Sequence, residues 1–132
     1  MISDLIHPRA VAVGAGVALA ICVPAAILAQ ILDDAGSVDD DSGWLLVLFG
    51  VILVGMGLGG YAAAVRRLDA PLTNGAVAAL AAYLLVQTIG AIRLLLSGDD
   101  VTWVAIPFFA LLSSAAGMAG GLLADHRARN PR

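Results

Sequence analysis

The sequence predicts an all-α fold: an antiparallel four-helix transmembrane bundle with N- and C-termini cytoplasmic. Three observations lead there. Of the 132 residues, 61% are hydrophobic and only 13% charged, where an ordinary soluble domain has about 25% charged. The apolar residues fall into four runs, each close to the roughly 20 residues that cross a hydrocarbon core about 30 Å thick. Arginine and aspartate alternate between successive connections, as a fixed membrane topology demands. The same figures set other classes aside. A disordered chain has low hydrophobicity. A disulfide framework needs more than the single cysteine, Cys22. A nucleic-acid binder carries a basic balance, and the net charge here is -3.

The spans are read in order within one membrane domain, 1–132. The first, 10–32, follows Arg9 and is too long for the 7–15-residue core of a signal peptide, so it is read as a retained span. The second, 44–65, opens on Trp44. The third, 72–96, follows Pro71, which a first helical turn tolerates. It holds the one base within a span, Arg93, placed a turn from the end, where its side chain can snorkel outward. The fourth, 101–124, opens around Trp103 and ends before Asp125-His126-Arg127. The connections 33–43, 66–71 and 97–100 are short, and short connections put neighbouring helices antiparallel.

Arginine placement sets the orientation. Arg9, Arg66, Arg67, Arg127, Arg129 and Arg132 fall on one side, and cytoplasmic segments carry the excess of bases. The opposite connections hold Asp33, Asp34, Asp39, Asp40, Asp41, Asp99 and Asp100. Trp44 and Trp103 each follow an acidic connection, where interfacial indoles belong. The chain has no Lys and no Glu and is rich in Ala, Gly and Val, a composition typical of a high-GC, actinobacterial genome. The expected location is therefore the bacterial plasma membrane, multi-pass. Each half reads span, acidic turn, Trp, span, basic end. A 2+2 parallel hairpin repeat and simple convergence both produce that order.

Small residues recur four apart, the spacing that lets helices approach closely in lipid. Gly14 in the first span, Gly55 and Gly59 in the second, and Gly117 and Gly121 in the fourth are the expected helix-packing positions. Polar groups at membrane depth are the default functional candidates. Gln87 and Thr88 lie mid-way along the third span, Ser113 and Ser114 mid-way along the fourth. They read either as a polar passage for a small solute or as interhelical hydrogen-bond glue. Pro24 and Pro107 sit inside spans as expected kinks. No Asp, Glu, His or Lys stands at membrane depth, so no enzyme, cofactor or proton-coupled carrier is expected. The acidic connection 33–43 lacks the ligand spacing of a calcium loop, and no metal site is expected. Asp125 and His126 are adjacent on a helix and so do not face each other.

The stretch Gly59-Gly60-Tyr61-Ala62-Ala63-Ala64-Val65-Arg66-Arg67, with Ala70-Pro71-Leu72 and Asn74-Gly75-Ala76, resembles small bacterial four-span integral membrane proteins of unknown function. Those carry a Gly-Gly-Tyr at the end of the second span, an Arg-rich turn and a small-residue start to the third. Where that family often has His before the Gly of the third span, this chain has Asn74. The resemblance implies the four-span topology and no site residue. Two roles are expected from the sequence. One is a structural or accessory membrane subunit acting through helix packing, with the lipid bilayer, a second copy or a larger membrane protein as partner. The other is a minimal transporter or channel for a small solute.

Overall fold

A computed structural model describes residues 2–34, 36 and 43–131. Most of the acidic connection 33–43 lies outside the described residues. Among the described residues five helices follow one another: α1 (Ile2–Leu5), α2 (Pro8–Asp34), α3 (Gly43–Val65), α4 (Pro71–Ser97) and α5 (Ala105–Arg129). The described residues contain no strand. The last four helices are each long and apolar enough to cross a membrane.

Helix limits follow local chemistry. α2 and α4 both begin on proline, whose fixed φ suits a first turn and whose missing N–H would have no partner there. α4 stops at Gly98, which takes the left-handed conformation (φ 80°) and donates its N–H to Leu94 and Leu95 carbonyls. That is the usual glycine ending of a helix. α5 ends in His126, Arg127 and Arg129, and the two arginines complement the negative end of the helix dipole. Arg129 pairs with Asp125 one turn back at 3.0 Å.

Two sequence expectations change here. Residues 101–104 are not α-helical, and α5 starts at Ala105. Pro107 therefore lies in a first turn, where its missing donor costs nothing, and only Pro24 is interior to a helix. The short helix α1 adds to the four spans; its four residues carry no periodicity that a sequence reading can detect.

α3 and α4 form the central pair. Each packs against all three other long helices, while α2 and α5 flank them. The buried positions concentrate at one end of the bundle. In α2 they are Ala10, Gly14, Ala18 and Cys22, four apart, with Ala25 beyond. In α4 they run from Asn74 to Ala82 and no further, and in α5 from Ser113 to Ala124 and no earlier. This end holds Arg9, Arg66, Arg67 and Arg127 and is called the basic end. The other, around Asp99 and Asp100, is called the acidic end.

Candidate functional site

The site is built in two storeys, a glycine floor and a cavity above it. The floor is backbone against backbone. A methyl placed on Gly14 would stand 2.5 Å from the Gly59 carbonyl oxygen and 2.6 Å from Ala63 Cβ. One placed on Gly59 would stand 2.6 Å from both Ala18 Cβ and the Gly14 oxygen. A Cβ on Gly55 would stand 2.9–3.1 Å from Ile21 and Cys22. Across the bundle, Gly117 of α5 is pressed against the Gly75 oxygen and Ala79 of α4, and Gly60 of α3 is pressed against Gly117. A Cβ on Gly121 would lie 2.5 Å from the Pro71 oxygen. Adjacent residues on a helix point about 100° apart. Gly59 and Gly60 thus serve two interfaces, α2 and α5 respectively. Gly60 and Gly75 carry as much of the floor as the five glycines picked out by spacing. Of the two, Gly75 also follows the four-apart spacing, with Ala79; Gly60 does not stand among the positions picked out, and it meets Gly117 across the bundle.

A second device closes the basic end. Asn74 is fully buried. Its Nδ2 donates to the Leu5 and Ala70 carbonyls, both at 2.9 Å, and its Oδ1 accepts from the His7 backbone N–H at 3.0 Å. A buried amide needs such partners. Asn74 therefore ties the segment between α1 and α2 to the start of α4. His7 Nδ1 is buried with no hydrogen-bond partner among the described residues.

One turn above the floor lies a cavity of about 240 Å³ with walls from all four long helices. Cys22 comes from α2, Ile52 and Met56 from α3, Tyr83 and Gln87 from α4, and Ser113 from α5. Each of four wall residues stands about one turn from a floor residue: Cys22 from Ala18, Met56 from Gly60, Tyr83 from Ala79, Ser113 from Gly117. The walls towards the acidic end are aromatic. Phe49 and Phe109 meet edge to face at 5.8 Å between ring centres, and Phe108 backs Phe109 at 5.2 Å, the geometry the ring quadrupoles favour. The Tyr83 hydroxyl donates to the Ile106 carbonyl at 3.1 Å, and the Cys22 thiol to the Ile52 carbonyl at 3.4 Å.

Two of the four expected passage residues meet here. Gln87 and Ser113 both line the cavity. Neither side chain makes a hydrogen bond among the described residues. Thr88 is exposed and returns its hydroxyl to the Leu84 carbonyl at 2.7 Å. Ser114 is turned out of the cavity lining. The reason is again the 100° step: Thr88 and Ser114 each follow a cavity residue and so face elsewhere. No charged residue lines the cavity. Among the described residues, no three His, Cys, Asp or Glu side chains gather where a metal could be held.

No family model, curated protein or solved structure matches this chain.

Proposed function

We propose that this chain is a multi-pass protein of the bacterial plasma membrane, antiparallel in its four spans and cytoplasmic at both termini, that takes a small uncharged solute into the Gln87–Ser113 cavity. The antiparallel reading is supported by the order of contacts: Gly14 meets Gly59 and Ala63, while Cys22, further along α2, meets Gly55, earlier in α3. The orientation rests on the arginines at the basic end, and the exposed Trp44 and Trp103 suit the opposite interface.

The observation that carries the functional reading is a pair of polar side chains without protein partners on a cavity wall. The Gln87 amide and the Ser113 hydroxyl therefore have donor and acceptor capacity to spare, which a bound polar molecule can take up. At about 30 Å³ per water, the space holds roughly eight waters or one solute of similar bulk. With no ionic group on the walls, a charged guest would meet nothing to offset its lost hydration. The guest is therefore neutral, partly apolar and able to accept or donate to an amide. The glycine floor closes the basic side, so passage across the membrane requires the floor to part. The reading is a gated carrier and not an open pore.

Cys22, the sole cysteine, is a built-in reporter because it lines the same cavity. The test is vesicle swelling driven by glycerol or urea, run beside alkylation of Cys22 by N-ethylmaleimide. Wild-type vesicles should swell faster than protein-free ones, and Gln87→Leu with Ser113→Val should return swelling to background. Swelling unchanged by that pair, or no flux for any neutral solute, removes the proposal.

A second reading, the accessory subunit, is favoured by one observation. From residue 84 to 97, α4 buries no side chain and carries Arg93 on its exposed surface. Cysteine crosslinking from Ile89 in native membranes would reveal a protein neighbour there. The floor glycines do not supply that interface, since they are filled within the chain.

A further inference from the structure

We propose that the groove between α2 and α3 at the basic end binds one anionic phospholipid, its phosphate on Arg9, Arg66 and Arg67 and one acyl chain along Val13, Val17 and Val65. The groove has two parts. One, of about 740 Å³, has Arg9, Arg66 and Arg67 on its rim and Ala12 and Val13 in its wall. The other, of about 460 Å³, runs on past Val13, Val17, Tyr61 and Val65. Val13 and Arg66 line both, so the polar mouth and the apolar trough are continuous.

The need to keep bases on one side of a membrane explains how many arginines lie at this end. It does not explain why three of them converge on one groove from α2 and from the α3–α4 turn. Two further basic-end arginines have partners within the chain. Arg129 is paired with Asp125, and Arg127 lies over the Tyr61 ring at 5.8 Å. Arg9, Arg66 and Arg67 form no ion pair among the described residues. Guanidinium groups grip phosphate through paired N–H donors. The first turn of α2, which starts at Pro8 on the same rim, adds the positive end of a helix dipole. The Asn74 clamp on Leu5 and His7 holds Arg9 in place opposite the turn. A free phosphate would leave the trough empty, and a choline headgroup would set a cation against three cations. An anionic lipid satisfies both parts at once.

The test uses the full chain, stripped of lipid in a neutral detergent and titrated with dioleoyl phosphatidylglycerol or dioleoyl phosphatidylcholine under native mass spectrometry. The wild-type chain should hold one phosphatidylglycerol about tenfold or more tighter than phosphatidylcholine, given roughly 1 kcal/mol per base near anionic lipid. The triple variant Arg9→Gln, Arg66→Gln, Arg67→Gln should lose that preference. The variant Arg93→Gln, Arg129→Gln, Arg132→Gln, equal in charge removed, should keep it. Val17→Trp should weaken lipid retention by blocking the trough. Equal losses in the two triple variants would mean diffuse attraction and overturn the proposal. So would full displacement by inorganic phosphate with Val17→Trp silent, which would mark an anion site without a lipid. Circular dichroism of each variant checks that helicity is retained.

Discussion

The two ends of this bundle solve helix packing in opposite ways. At the basic end, the carbonyls of Gly14, Gly57, Gly59, Gly75 and Gly117 lie where a neighbouring glycine's side chain would otherwise be. At the acidic end, a methyl on Gly50 or Gly90 would meet nothing within 4 Å. In lipid there is no hydrophobic drive to press helices together, so close van der Waals contact has to do it. One end achieves that contact. The other leaves bulky side chains and a cavity between the helices, and so keeps room for a guest. Glycine occurs at both ends; what differs is whether it faces another backbone or the surroundings.

The largest expected effect comes from filling the floor. Gly117→Val should destabilise the fold by about 3 kcal/mol or more, since its branched side chain must displace α4 backbone and not a flexible side-chain tip. Detergent unfolding followed by circular dichroism would read it, and a stable, fully folded variant would show that the two ends do not differ as described. Asn74→Ala comes next. It leaves the Leu5 carbonyl and His7 N–H without their buried partner, at about 1–3 kcal/mol. Faster hydrogen exchange at residues 5–7 should accompany the loss. The contrast becomes sharper with Gly90→Ala, which should raise stability by about 0.5–1 kcal/mol, because a helix gains from alanine where nothing is crowded. A sign reversal between Gly117 and Gly90 is a stricter test than either alone. Gln87→Leu should change stability by less than about 1 kcal/mol while abolishing solute uptake, since no protein hydrogen bond is lost. Arg129→Ala should cost no more than about 0.5 kcal/mol, as expected of an exposed pair one turn apart.

Much of the fold was legible because long apolar runs without charge rarely form anything but membrane-spanning helices. The four long helices contain such runs, and Pro71 opens α4 as expected. The candidate site was half legible. Gln87 and Ser113 stood out as polar residues at depth, but their neighbours Thr88 and Ser114 stood out equally. Only the rotational phase of each helix separates the pairs, and spans apolar on all sides carry little information about phase. The aromatic walls, Phe49, Phe109 and Tyr83, were invisible for the same reason. Asn74 carried a signal that was open to reading: a lone amide among Ala and Gly, one residue before a glycine at the start of a span. Its role needed the third dimension, since its partners are 67 and 69 residues away.

The Asn74 clamp also has a consequence for the order of biosynthesis. Leu5 and His7 leave the ribosome long before Asn74 is made, and two apolar spans must be inserted between them. Until the third span enters the membrane, the amino-terminal segment has no place to dock. Closure of the bundle is therefore a late event, made by a residue near the middle of the chain reaching back for the beginning, and newly made protein truncated before Asn74 would remain unlatched however well its first hairpin had formed.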